Sequence, residues 1–457
     1  MRFSFAMSNI KKILFLIIIF ASVPVSIFLL SQKTNFFQKA SGTPANFVID
    51  ASNMIGGKSE SWRNLAQGGE ERGRQLLPVI DKVKALKPNY IRIDHVFDYY
   101  GEAGSHSEVE LDQQINDITA TGAKPFIALS YMPPSLSKSG DVTDLPKDWG
   151  EWESLVQKTV EHVSGRNGLN IKDVYYEVWN EPDLFGKFKT YGPKNYLDLY
   201  SHTVRAATRA GNVNSFKIGG PAVTGFYENW LSKLTSFTES NNLRLDFLSW
   251  HRYSKDLADY EKDLDNALHY NQELVITELG PNSENDPVYD GNFSALHMIA
   301  TTALMEGKVD KIFNFEIKDG VGPTKNWGRW GMLTHEKWGT PEIKPRYRAM
   351  QFLNNLIGGS NLQLDGQGSW MKAVAKRYDP PAGAVEVKIL VVNYDNYGKH
   401  SEAVPVKVIN LPANNFVLKR IDFNGNISST PVTVENNTWE TILSFDPNTA
   451  SILELTF

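Results

Sequence analysis

The chain has 457 residues, 41% of them hydrophobic and 22% charged, with a formal net charge of −5. That length holds a large core and room for two domains, and the charge offers no basic field to draw nucleic acid. The chain has no cysteine, which excludes disulfides, thiolate metal sites, a cysteine nucleophile and a lipid-anchored cysteine.

The first predicted element is apolar. Residues 13–30, ILFLIIIFASVPVSIFLL, carry no charge and follow Lys11 and Lys12. The run lies at the lower edge of a membrane span and is long for a signal-peptide core. Arg2 and the two lysines favour an inside N-terminus. The expectation is an uncleaved membrane anchor over 1–31, with a cleaved signal peptide as the alternative. A polar stalk follows over 32–45. Either reading exports the remainder, and the first makes the membrane a partner through this segment.

From 46 to 358, short β-rich runs alternate with helical patterns. The predicted strands are 46–52, 89–95, 124–130, 174–181, 217–223, 247–253, 274–280 and 311–319. Helical spacing falls at 75–86, 152–163, 194–210 and 344–356. Eight such units suit a parallel (β/α)8 barrel. An open doubly wound sheet is the alternative, but NMIGGKSES (53–61) is a poor phosphate loop for it. From 359 to 457 the pattern changes to strands split by Gly, Asn and Pro turns, with no helical period. This predicts a small antiparallel β-sandwich. DFNGNIS (422–428) reads as a turn, since it lacks the spaced acidic ligands of a calcium loop.

In such a barrel the reactive groups lie at the C-terminal strand ends. Collected there are Arg92, Asp94 and His95, then Asn180 and Glu181, then His251 and Tyr253, then Glu278 and finally Asp319. Tyr99, Tyr100, Tyr131, Trp149, Trp327 and Trp330 stand in the loops. In YYEVWNEPDLFG (175–186), Glu177, Trp179 and Glu181 alternate, so a regular strand would turn all three to one face. Pro182 then ends the strand. Facing carboxylates ringed by polar groups and aromatic plates suit a sugar. Glycoside hydrolysis needs two such acids, one holding a proton for the leaving oxygen and one ionised beneath the anomeric carbon. An aromatic setting should raise Glu181, and Arg92 should keep Glu278 ionised.

The ordered stretches YIRIDH (90–95), IALSYMPPSL (127–136), YYEVWNEPDL (175–184), IGGPAV (218–223), DFLSWHRY (246–253), VITELG (275–280) and WGMLTHEKWGTPEIKPRYRAMQFLNNL (330–356) resemble glycoside hydrolase family 39. That family lies in a clan of retaining barrel glycosidases. The resemblance implies Glu181 as acid/base on strand 4 and Glu278 as nucleophile on strand 7. It implies that Asn180 binds the hydroxyl beside the reacting carbon, which requires a break at the strand end. Arg92, His251 and Tyr253 correspond to residues around the nucleophile and the sugar; His95 and Asp319 match more loosely. One departure falls on strand 8, where Phe315 stands in place of a frequent Trp and Glu316 and Lys318 add charge.

The expected function is therefore a retaining O-glycosidase acting on oligo- or polysaccharide, outside the cytoplasm. A non-catalytic glycan binder and an accessory to polysaccharide export are the alternatives. The reaction calls for no cofactor, and the histidines show no metal spacing of the HExxH kind. The sugar, the choice of endo or exo cleavage and the oligomeric state stay open.

Overall fold

The structure, a computed structural model, describes residues 42–56, 59–69, 71–100, 108–381 and 383–457. The expected anchor over 1–31, and the stalk as far as residue 41, lie outside the described residues. Among the described residues no helix is long and apolar enough to cross a membrane.

The strands run in chain order β1 (Phe47–Met54), β2 (Asn64–Gln67), β3 (Tyr90–Ile93), β4 (Lys124–Ala128), β5 (Val174–Glu177), β6 (Phe216–Val223), β7 (Phe247–Tyr253), β8 (Glu273–Gly280) and β9 (Lys311–Phe315). They continue with β10 (Ser360–Asp365), β11 (Met371–Tyr378), β12 (Glu386–Asn393), β13 (Glu402–Ile409), β14 (Asn415–Asp422), β15 (Ile427–Thr433), β16 (Trp439–Phe445) and β17 (Thr449–Thr456). The helices are α1 (Ile80–Ala85), α2 (Val96–Tyr100), α3 (Glu108–Ala120), α4 (Trp149–Val163), α5 (Tyr196–Arg209), α6 (Glu228–Ser240), α7 (Leu257–Ala267), α8 (Asn292–Met305) and α9 (Pro345–Leu353).

Strands β2 to β9 close a parallel barrel in sequence order. Its lumen is filled by Phe126, Tyr175, Phe247, Val275, Phe313 and Phe315. The alternate residues, such as Ile91, Ile218, Leu248 and Ile312, face outward onto the helices. Burial on both faces is what a parallel sheet wrapped in helices requires. Helix α4 shows how a wrapping helix is set. Asp148 accepts from the backbone N–H groups of Gly150 at 2.7 Å and Glu151 at 3.1 Å, which starts the helix three residues before the expected 152. Trp152, Leu155, Val156, Val160 and Val163 then recur at helical spacing and are buried.

The barrel's first strand is not 46–52. That segment forms β1, which pairs with β10 and, in parallel, with β13 of the second domain. The physical reason is visible in its burial, which alternates over Phe47–Ala51 as suits a strand with one buried face. The barrel begins instead at Asn64–Gln67, held between β3 and β9.

The second domain is one curled nine-stranded sheet, ordered β15-β14-β17-β12-β11-β10-β1-β13-β16. All pairs are antiparallel except β1 with β13. β10 makes the fold-over, pairing with β11 at Ser360 and Asn361 and with β1 from Leu362 onward. Both halves then fill one core, with Phe47, Ile49, Val404 and Val406 from one side and Ala373, Ala375, Val387 and Ile389 from the other. Lys376 of β11 ties the sheet to the barrel, reaching Glu306 at 2.7 Å just past α8, with both side chains buried.

Candidate active site

Arg92 lies inside the barrel mouth on β3, and its guanidinium organises three elements. Nε donates to Glu177 at 2.8 Å, Nη1 to Glu278 at 2.9 Å and Nη2 to the side-chain oxygen of Asn180 at 2.7 Å. Glu177 is wholly buried, so the bond to Arg92 compensates its charge. Burial by itself would lower Arg92, but Glu177 and then Glu278 outweigh it and the net direction is upward.

After Glu177 the chain leaves the strand, and the regular alternation expected through Glu181 does not occur. Trp179 and Glu181 both have positive φ, 75° and 45°. Trp179 turns away from the mouth and packs between Trp152, Phe188 and Tyr131. Asn180 and Glu181 both reach the cleft, as the expected break requires. The segment is held by backbone bonds to β6, from Val178 to Gly219 and from Glu181 to Ala222, each 2.9 Å.

Glu278 is aimed by a slip in register. Trp250 pairs with Ile276 but His251 pairs with Glu278, leaving Thr277 as an extra residue on β8. Such a bulge re-aims the following side chain. Glu278 then accepts from Arg92 on one oxygen and from the Tyr253 hydroxyl on the other at 2.7 Å. Burial pushes its carboxyl up, His251 and Arg92 pull it down, Glu181 and Asp94 push it up again, and the net direction is upward. Arg92 does lie against Glu278 and pulls it down as expected, but burial outweighs that pull, so the expectation of a carboxyl held low is corrected.

Glu181 does not sit in a purely aromatic sheath. Its Oε1 lies 2.8 Å from Nδ1 of His251, which also stands 3.5 Å from Glu278. Nε2 of His251 is buried and has no partner among the described residues, so the ring's hydrogen bonding runs through Nδ1. One carboxyl oxygen each of Glu181 and Glu278, with a nitrogen of His251, lie within 4.8 Å of one another.

The cleft over these groups encloses about 590 Å³. Tyr253, Phe315 and Trp330 form one aromatic wall, and Tyr131 with Phe185 another. Phe315 lines this wall from the end of β9. His95 also lines the cleft, stacked on Tyr99 and bonded to Asp98 at 2.8 Å. Gly69 permits this, since a Cβ there would meet the His95 ring at 2.3 Å. Asp319 departs from its expected place. It is paired with Lys344 at 2.8 Å and accepts from the Gly331 N–H, outside the cleft lining, and burial pushes it up to about 6. Trp149 is also elsewhere, stacked on His202.

A second acidic cluster, Glu71, His335 and Glu336, resembles a cation site by composition. The Lys318 ammonium already lies 2.9 Å from both glutamates, so the positive charge is supplied by the chain. Sequence reasoning placed Asp94 at a strand end but gave it no role; it lines the cleft beside Glu181 and Glu278.

Residues 98–297 match the family described as Glycosyl hydrolases family 39. A β-xylosidase of Caldicellulosiruptor saccharolyticus is 32% identical over 163 residues, 34% of this chain and 32% of that protein. A β-xylosidase of Geobacillus stearothermophilus is 31% identical over 175 residues, 36% of this chain and 33% of that protein. The chain thus spans well under half the length of the curated relatives it matches. Among solved structures, a monomeric β-xylosidase from Caulobacter crescentus CB15 superposes with a TM-score of 0.71 at 19% identity, covering 90% of this chain and 99% of that one. A GH39 enzyme from Xanthomonas axonopodis pv. citri gives 0.70 at 20% identity, covering 91% and 97%. At these identities the structural likeness establishes the fold.

Proposed function

We propose that this chain, which is glycoside hydrolase family 39-like over its barrel, is a retaining glycosidase in which Glu278 is the nucleophile and Glu181 the acid/base. The observation that carries the reading is that one oxygen of each carboxyl comes within 4.8 Å of the other across one cleft. Retention goes with separations of about 5 to 5.5 Å, whereas inversion needs about 6.5 to 9.5 Å to admit a water.

The roles follow from the donors. Glu278 accepts two hydrogen bonds, from Arg92 and Tyr253, which fix its carboxyl in place, and the Arg92 guanidinium offsets part of the upward push of burial. Glu181, bonded to His251 on the facing side of the cleft, is left to serve the leaving oxygen. In the first step Glu278 attacks the anomeric carbon while Glu181 gives its proton to the leaving oxygen. A glycosyl ester forms and the aglycone departs as an alcohol. In the second, Glu181 takes a proton from water as that water attacks the same carbon, and Glu278 leaves as carboxylate. The Asn180 amide gives one hydrogen to Tyr131 at 2.7 Å and has a second for the sugar hydroxyl beside that carbon.

The test is a panel of aryl glycosides with wild type, Glu181→Gln and Glu278→Gln, beginning with the β-xyloside that the two named relatives' activity suggests. Turnover that survives both substitutions removes the reading, and glycan binding without turnover in wild type favours an inert binder instead. We also place the protein outside the cytoplasm, on the charge-free run 13–30 behind Lys11 and Lys12. Fractionation that finds the full chain in the cytosol overturns that placement.

A further inference from the structure

The cleft holds an acidic group that the two-glutamate chemistry does not use. Asp94 lies two residues beyond Arg92, so strand alternation turns both toward the barrel mouth. It lines the cavity with Glu181 and Glu278 and is near enough to push the Glu278 carboxyl up. Its Oδ1 is buried and meets no hydrogen-bond donor among the described residues. Asp94 as a whole is nonetheless only partly buried and lines the cavity, so its carboxylate offers an acceptor to the occupant. A sugar hydroxyl is a matching donor.

The cations of the site are committed elsewhere. Arg92 directs Nε, Nη1 and Nη2 to Glu177, Glu278 and Asn180. His251 faces the two glutamates. Among the described residues no lysine or arginine lines the cavity. A sugar carboxylate entering this cleft would meet three acidic side chains and find no guanidinium or ammonium to pair with, and like charges in a partly desolvated space repel strongly.

Resting on the glycosidase reading above, we propose that the innermost subsite takes an uncharged sugar, one of whose hydroxyls donates to Asp94, and rejects uronic acids. Asp94 is then a substrate-binding residue that sets specificity by charge.

The experiment compares matched aryl glycosides of xylose, glucose and glucuronic acid, in both anomers, on wild type and Asp94→Asn, with melting curves for each. At least one neutral glycoside should exceed its uronide in kcat/KM by roughly a hundred-fold. Asp94→Asn should raise KM for that glycoside by about tenfold, with a smaller change in kcat, and narrow the discrimination. A wild type that cleaves the uronide as well as the neutral congener overturns the proposal, and so does an Asp94→Asn variant that melts like wild type with KM and discrimination unchanged. Either result leaves the glycosidase reading standing. If nothing is cleaved, that reading falls by itself, and calorimetric titration with free xylose, glucose and glucuronate decides the subsite. Binding of a neutral sugar in preference to glucuronate supports the proposal; preference for glucuronate, or no neutral sugar bound, overturns it.

Discussion

Nδ1 of His251 lies 2.8 Å from Oε1 of Glu181. Burial by itself would lower this imidazole, but Glu278 and then Glu181 outweigh it, and the net direction is upward from 6.5. A histidine raised in the folded state stabilises that state fully below its unfolded value of about 6.5, and the contribution fades as pH rises through the raised value. Wild type should therefore lose more stability between pH 6 and pH 9 than His251→Gln does. Urea midpoints at the two pH values measure it, and equal losses would remove the charged imidazole from the account.

Glu181 as acid predicts a dependence on the leaving group. A phenol that is already a good leaving group needs little protonation, whereas an alkyl alcohol needs it fully. Glu181→Ala should lose about tenfold or less in the first step with an activated aryl glycoside, and roughly 10²- to 10⁴-fold with an unactivated one. Pre-steady-state release of a series of phenols checks this. A loss that is flat across the series would assign Glu181 some other part.

Arg92 should matter twice. Arg92→Met leaves Glu177 and Glu278 buried without their cation, which should cost about 3 to 5 kcal/mol in chemical denaturation and abolish turnover. Adding Glu177→Gln should restore part of the stability and none of the activity. Recovery of both would mean that Arg92 serves only Glu177.

The buried pair of Lys376 and Glu306 makes a prediction for the whole molecule. Glu306 also accepts from the Ser61 hydroxyl at 2.6 Å, so it joins β11, the end of α8 and the entry to the barrel. Lys376→Met should destabilise by about 3 to 5 kcal/mol and lower the single melting transition of both domains together. A barrel that melts unchanged while the sheet melts early would show that the pair does not couple them.

Much of the site was legible because its groups end apolar runs. Arg92 follows YI, Asn180 and Glu181 precede a proline, and Glu278 precedes a glycine. What alternation alone could not supply is direction. On regular strands Glu181 would share a face with Trp179, and Glu278 would face away from Val275. Positive φ at residues 179 and 181 and the extra Thr277 on β8 reverse both. Asp319 has the chemistry of a sugar ligand, but Lys344, twenty-five residues later in sequence, captures it.

The fold was legible in class and misread at one strand. Asn64–Gln67 has four residues and no β-branched side chain, so its strand character comes from its neighbours β3 and β9 rather than from its own preference. Phe47–Met54 has strong strand character, and its alternation was the available sign that it belongs to a sheet with one open face. Ile427–Thr433 carries little strand signal of its own, because ISSTPVT is almost wholly exposed, with Pro431 on an edge strand where a missing N–H does no harm.

The pairing of β1 bears on how the protein is made. On the ribosome β1 emerges before the entire barrel, yet both strands it lies between, β10 and β13, emerge after it. Until residue 365 has been translated the nascent chain carries β1 as an unpaired strand, and until residue 409 it keeps one open edge, the kind that seeks any other strand in reach. Deleting the C-terminal sheet would make that transient exposure permanent, so the barrel cannot be freed by cutting the chain only at its far end.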